Sequence, residues 1–124
     1  MTSGTGAARS QAECLFCRIV AGEVPSTAVL ETERTYAFRD IAPAMPVHVL
    51  VVPREHVEDA AAVTTAHSEV MAEMITTARR VAEAEGILDR GYRLVLNVGQ
   101  DAQNSVSHLH LHVLGGRPMG WPPG

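Results

Sequence analysis

Ser107-His108-Leu109-His110-Leu111-His112-Val113-Leu114 is the stretch on which the reading of this chain turns. Alternate residues of a β-strand project from the same face. Read as a strand, these residues put His108, His110 and His112 on one side and Leu109, Leu111 and Val113 on the other. The apolar side is ready for a core. The imidazole side is a row of groups that titrate near neutrality and serve as bases, nucleophiles or metal ligands. The chain has six histidines and three of them fall in this row, a density that a merely polar sheet face does not need.

The segments around this row predict its neighbours. Tyr92-Arg93-Leu94-Val95-Leu96-Asn97 reads as a strand that runs into a polar loop over 98–104. Val47-His48-Val49-Leu50-Val51-Val52, bounded by Pro46 and Pro53, is nearly continuous in apolar character, which predicts a central strand covered on both faces. Residues 27–31 and 35–40 read as two strands around a polar turn at 32–34. The one long helix is expected over 66–85, where Val70, Met71, Met74, Ile75, Ala78, Val81 and Ala82 form a stripe at helical spacing. Thr65 is its expected N-cap and Gly86 its stop, with Met71 and Met74 as core filler and His67 as a solvated first-turn residue. A short helical turn is expected over 14–21, ended by Gly22 and Pro25. Strands in this order around one helix predict an α+β fold with an antiparallel sheet.

Composition bounds the function. A chain of 124 residues makes one domain. Its 46% apolar and 19% charged residues are those of an ordinary globular protein. Aromatics at 4%, a net charge of −4 and the lack of any basic cluster exclude the stacking and phosphate-tracking surface of a nucleic-acid binder. No stretch approaches the roughly 20 apolar residues that span a bilayer. Residues 1–11 lack the apolar core of a signal peptide. The expected organisation is a disordered tail over 1–12 and one domain over 13–124, closed by an extended Gly/Pro-rich arm over 115–124. Cytoplasm is the expected compartment, with both cysteines reduced.

His108-Leu109-His110-Leu111-His112-Val113-Leu114 resembles the histidine triad (HIT) motif. The ending Val113-Leu-Gly-Gly-Arg-Pro-Met-Gly-Trp-Pro-Pro-Gly124 is similar to that of the Hint branch, the histidine triad nucleotide-binding proteins. Phe38-Arg39-Asp40-Ile41, Pro46-Val47-His48-Val49-Leu50-Val51-Val52-Pro53 and the run 97–105 match as well, so the resemblance covers about 14–124 in unbroken order. It implies a five-stranded antiparallel sheet with one long helix and a short N-terminal helix, doubled to ten strands across a homodimer. It also implies a purine nucleoside phosphoramidase that cleaves AMP–amine conjugates or aminoacyl adenylates to AMP.

In that reading His110 is the covalent nucleophile toward the α-phosphorus, and His112, His48 and Ser105 assist. A neutral imidazole whose other nitrogen is held by a carbonyl is a good nucleophile. His at 112 favours hydrolysis, because nucleotidyl-transferase relatives carry Gln there. The resemblance puts Asp40 on the ribose hydroxyls and Leu15, Phe16, Ile19, Phe38, Ile41 and Leu50 around the purine. Asn97 and Ser105 go to the α-phosphate or leaving group, and Trp121 to the partner subunit's active site. One departure stands out: the family carries Gly-Gln before the serine, where this chain has Gln103-Asn104. Losing that glycine removes freedom at positive φ and puts the loop's shape in question.

Cys14-Leu15-Phe16-Cys17 is compatible with metal, but tetrahedral zinc takes four ligands and C-x₂-C supplies two. Relatives with this pair complete the site with histidines that match His56 and His108, which implies a structural zinc and no catalytic cofactor. Three other readings stay open at this point. The chain could be a nucleotide-binding adaptor with incidental hydrolysis, a dinucleoside polyphosphate hydrolase, or a metalloenzyme using His108, His110 and His112 as a zinc triad.

Overall fold

The computed structural model describes residues 13–124. The tail expected over 1–12 lies outside them. The elements are α1 (Leu15–Val20), β1 (Ala28–Glu31), β2 (Thr35–Arg39), β3 (Val47–Pro53), α2 (Ser68–Ala84), β4 (Tyr92–Val95) and β5 (Leu111–Gly115). The strands form one sheet in the order β1-β2-β3-β5-β4, every neighbouring pair antiparallel. The strand bounded by prolines is therefore the central one.

Period-two alternation divides the central strands between two layers. Val49 and Val51 of β3, Leu111 and Val113 of β5 and Ala37 of β2 face α2, where they pack with Met74, Ala78, Val81 and Ala82. Leu50 and Val52 of β3, with Tyr36 and Phe38 of β2, face the other way and pack with Phe16 and Ile19 of α1. Burying each such side chain contributes about 1.5–3 kcal/mol. Met74, with 0% exposure, is core filler as its spacing predicts. A buried polar bridge crosses the α2 layer, where the Thr35 and Thr77 hydroxyls meet at 2.8 Å. No helix among the described residues is long and apolar enough to cross a membrane.

Three boundaries differ from the sequence reading. The long helix begins at Ser68, because a 3₁₀ turn over Thr65–His67 precedes it. The capping side chain is that of Thr64, not Thr65, and His67 closes a capping box by accepting the Thr64 N–H on Nδ1 at 2.9 Å. Gly86 ends α2 as expected, at φ 76, with Gly86 N–H on Glu83 and Ile87 N–H on Ala82, the Schellman arrangement. At the other end of the sheet, β4 stops at Val95, paired with His112, and β5 begins only at Leu111. The histidine row is thus part strand and part approach to one. The cause lies in β3, whose last pair with β5 is Val51–Leu111. Beyond it Pro53 has no N–H to donate, and Leu109 N–H instead reaches the Val57 carbonyl at 2.6 Å.

Candidate active site

The alternation survives where the ladder does not. Leu109, Leu111 and Val113 are buried with α2, while His108, His110 and His112 share the face covered by α1. His110 is buried, with its ring 5.1 Å from that of Phe16 in an edge-on pair and 5.0 Å from that of His112. Its Nδ1 lies 2.7 Å from the His108 carbonyl oxygen. A carbonyl only accepts, so Nδ1 carries the proton and Nε2 keeps its lone pair. That nitrogen is an available lone pair on a ring held in one tautomer by the backbone.

His48 and His112 are fixed in the same manner. Ala44 N–H donates to His48 Nδ1 at 3.0 Å, so the His48 proton sits on Nε2. This Nε2 lies 2.9 Å from His112 Nδ1 and 3.3 Å from Asp40 Oδ2. His112 Nδ1 then accepts, which leaves an N–H on His112 Nε2. The Asn97 side-chain amide 3.5 Å away can accept it only when turned to present Oδ1, since its Nδ2 is a donor. Burial pushes His112 down to about 4, with the neighbouring imidazoles of His110 and His48 adding to the effect. Burial also lowers His48, against the pull of Asp40. The pair is therefore neutral at pH 7, as this chain of hydrogen bonds requires. Asp40 Oδ1 meanwhile accepts the Ala42 N–H at 2.8 Å, closing the turn after β2.

Asp40, His48 and His112 have the spacing of a three-ligand metal site, but their hydrogen bonds argue against one. A metal on His48 Nε2 would need the proton on Nδ1, where the Ala44 N–H already points. The second cluster passes the same test. Cys14, Cys17, His56 and His108 bring four ligand atoms within 4.8 Å of one another. Cys14 Sγ and Cys17 Sγ lie 3.2 and 3.4 Å from His108 Nδ1, and Cys17 Sγ lies 3.4 Å from His56 Nδ1. Ligand atoms on tetrahedral zinc stand roughly 3.6 Å apart. The Nε2 of His108 is 2.9 Å from the Pro53 carbonyl, so that nitrogen holds the proton and Nδ1 is free for a metal. Burial pushes His108 down to about 4, which keeps its ring neutral. Burial and the neighbouring Cys14 push the Cys17 thiol up to about 12 in the absence of a cation, so binding one would release a proton. Both nitrogens of His108 are thus engaged away from His110 and His112, and the three do not converge as a zinc triad.

The HIT domain matches residues 21–119. The chain belongs to the HIT family. It is 40% identical over 108 residues to the purine nucleoside phosphoramidase of Escherichia coli (strain K12), across 87% of this chain and 91% of that protein. A 14 kDa zinc-binding protein of Brassica juncea is 41% identical over 114 residues, 90% of this chain and 100% of that one. The crystal structure of a HIT family hydrolase from Legionella pneumophila Philadelphia 1 superimposes with a TM-score of 0.88 at 46% identity, covering 90% of this chain and 100% of that one. The five antiparallel strands and single long helix are those of the HIT fold.

The HIT fold brings most of the sequence-predicted residues together. Phe16, Ile19, Phe38 and Leu50 form one buried cluster on the imidazole face, joined by Tyr36 and Val52. Tyr36 and Val52 had a readable signal, since each is two residues from a chosen neighbour. Leu15 and Ile41 stand outside the cluster, 43% and 98% exposed. Ile41 is out of phase with Phe38 and sits in the turn closed by Asp40. Ser105 lines a cavity of about 390 Å³ with Leu15, His56 and Ser107, beside the cysteine cluster. Trp121 does not meet the histidines of its own chain. It is 82% exposed and shares a cavity of about 470 Å³ with Leu94 and Leu96 along the free edge of β4. The Ala44 N–H and the carbonyls of Pro53 and His108, which set the tautomers, are backbone groups that leave no mark in the sequence.

The loop before Ser105 keeps the shape a glycine would allow. Gln103 has φ 60, the one left-handed non-glycine among the described residues, with its N–H on the Gln100 carbonyl at 2.9 Å. The next residue, Asn104, holds its side-chain oxygen buried without a protein partner. A side chain in this region costs about 1–2 kcal/mol, partly offset by the greater entropy a glycine loses on folding. Gln103→Gly is therefore expected to raise stability by about 0.5–1 kcal/mol in urea unfolding. An unchanged or lower midpoint would show that the loop is not strained there.

Proposed function

We propose that the protein is a purine nucleoside phosphoramidase that hydrolyses AMP–amine or aminoacyl-adenylate conjugates through a nucleotidyl-histidine intermediate. One observation carries this reading: the Nδ1–H of His110 on the His108 carbonyl, which leaves Nε2 as the nucleophile. Attack by Nε2 on the α-phosphorus forms the P–N bond to His110 and breaks the bond to the leaving group. The carbonyl partner stabilises the positive charge that develops on the ring. A departing amine takes its proton from water relayed through the Ser105 hydroxyl, and an acyl leaving group departs as carboxylate. Proton transfer of this kind is worth roughly 10²–10⁴-fold. The neutral Nε2–H of His112, backed by His48, hydrogen-bonds the phosphoryl oxygens in this scheme. Water then cleaves the P–N bond, releasing AMP and restoring His110.

In the same reading Asn97 and Ser105 hold the α-phosphate. The remaining lone pairs of the Asp40 carboxylate take the ribose hydroxyls, and the Phe16, Ile19, Phe38 and Leu50 cluster, with Leu15 and Ile41 at its margin, receives the purine. Zinc on Cys14, Cys17, His56 and His108 would tie α1 to the sheet and supplies structure, not chemistry. Two reduced thiols suit the cytoplasm. The test is turnover of a panel of adenosine and guanosine phosphoramidates, with acid-quenched protein digested to find the adduct. A nucleotidyl group on His110 is expected. One on another histidine, or none with turnover intact, would overturn the scheme.

The free edge of β4 supports a homodimer, since an unpaired edge is an association hazard that a two-fold pairing removes. The arm is tied to that edge by the Arg93 guanidinium, which donates to the Gly120 carbonyl at 3.1 Å. An exposed tryptophan there suits a surface on the partner, near its active site. Deleting 119–124 is expected to leave a folded dimer with altered kcat/KM across different leaving amines. A monomeric mass in solution, or identical kinetics after truncation, would refute this, and Trp121→Ala isolates the side chain.

A further inference from the structure

The cysteine cluster and the nucleophile are not independent. His108 belongs to both. Its ring Nδ1 faces Cys14 and Cys17 at 3.2 and 3.4 Å, its Nε2–H donates to Pro53, and its backbone carbonyl accepts the Nδ1–H of His110 at 2.7 Å. His56 stands edge-on to the His108 ring, with centroids 5.0 Å apart. A second link runs through α1. Cys14 caps this helix by accepting the Cys17 N–H on its sulfur at 3.3 Å. Between the two cysteines, Phe16 lays its ring edge-on against His110 at 5.1 Å and against His108 at 6.0 Å.

Thiol–imidazole contacts alone hold such an arrangement weakly, because S–H is a poor donor. Four metal bonds of about 2.0–2.3 Å fix the same atoms rigidly. We propose that the Cys14–Cys17–His56–His108 set, when loaded with zinc, is a positioning element for the nucleophile. It locks the His108 peptide and α1 together, so that metal loading governs the turnover rate far more than nucleotide affinity. Cys14, Cys17 and His56 act through His108 and Phe16 and are positioning residues; none is placed on the reacting atoms. The purine cluster lies on β2, β3 and α1 and Asp40 in the turn after β2, and of these only α1 is bound by the metal set.

The experiment uses the full chain in three states: zinc-loaded, stripped with a chelator, and reloaded with zinc. kcat and KM are measured on an AMP amide, AMP affinity by titration, and protection of the His110 Nδ1 proton from exchange by NMR. Stripping is expected to lower kcat about ten- to hundredfold, the scale of a misplaced reacting group. KM and AMP affinity should shift by only a few-fold, since Phe38, Leu50 and Asp40 lie outside the metal set and only Phe16 and Ile19 ride on α1. Protection of the Nδ1 proton should fall, and reloading should restore all three. Should stripping unfold the chain, His56→Asn at limiting zinc reads the same coupling with α1 and β5 untouched. An unchanged kcat and Nδ1 proton without zinc would overturn the proposal, as would a loss seen only in KM. Turnover that returns with zinc while no adduct forms on His110 would overturn it too, by making the metal catalytic. The turnover arm rests on the phosphoramidase reading. The NMR arm does not, so a loaded protein inactive on every amide sinks that reading while the coupling is still decided.

Discussion

His110→Ala should abolish phosphoramidate hydrolysis while AMP still binds. The mutant loses a nitrogen that combines a free lone pair with a backbone-held tautomer; the other such nitrogen on the imidazole face, His108 Nδ1, points at Cys14 and Cys17. His112 cannot take its place: its Nδ1 faces His48 Nε2 at 2.9 Å and its remaining nitrogen carries the proton. His48 is no better placed, with Nδ1 on the Ala44 N–H. Removing a covalent nucleophile costs on the order of 10³-fold or more in kcat. AMP affinity should change far less, because the proposed base and ribose contacts come from Phe16, Ile19, Phe38, Leu50 and Asp40. His110→Gln should be equally inactive, since its amide nitrogen is not basic and its amide oxygen is a poor nucleophile toward phosphorus. The check is steady-state turnover of an AMP amide beside AMP titration. Activity near that of the wild type in either variant would remove His110 from the role.

Much of this site was legible because alternation is a property of the side chains. The two-residue period over 108–114 correctly divided imidazoles from core residues, and the apolar run over 47–52 correctly marked the central strand. The extent of the histidine strand was not legible. Where β5 begins depends on where β3 stops pairing, and that is set by Pro53 across the sheet rather than by anything within the row. The helix start erred for a related reason. Thr64 and Thr65 are chemically equal as caps, and only the His67 ring turning back to the Thr64 N–H chooses between them. The loop over 98–104 is the reverse case. Its sequence lacks the family's glycine, yet Gln103 adopts the glycine conformation, so the surrounding fold overrode local preference. Trp121 is the largest gap: it is 82% exposed among the described residues, and the surface proposed for it lies on a second copy.

The metal cluster gives the second large effect. Purified protein should carry about one zinc per chain, and Cys14→Ser with Cys17→Ser should lose it. The two sulfurs supply half of the ligand set, and serine oxygen is a poor substitute for thiolate on zinc. The stability at stake is the binding free energy available at the working zinc concentration. A site that is bound only when folded gains about 4 kcal/mol when free zinc is 1,000-fold above its Kd. Losing this would cost a chain of 124 residues a large share of the 5–15 kcal/mol typical of a domain. The double variant should therefore unfold at clearly lower urea and no longer respond to added zinc, while retaining measurable hydrolysis. Zinc stabilisation of the wild type should weaken as pH falls. Protons compete for both thiols, and burial already pushes that of Cys17 up to about 12. Zinc content by elemental analysis, with urea unfolding at two zinc concentrations, makes the measurement. Metal-free wild-type protein, or a double variant as stable as its parent at saturating zinc, would mean that the four side chains form an ordinary buried thiol–imidazole cluster.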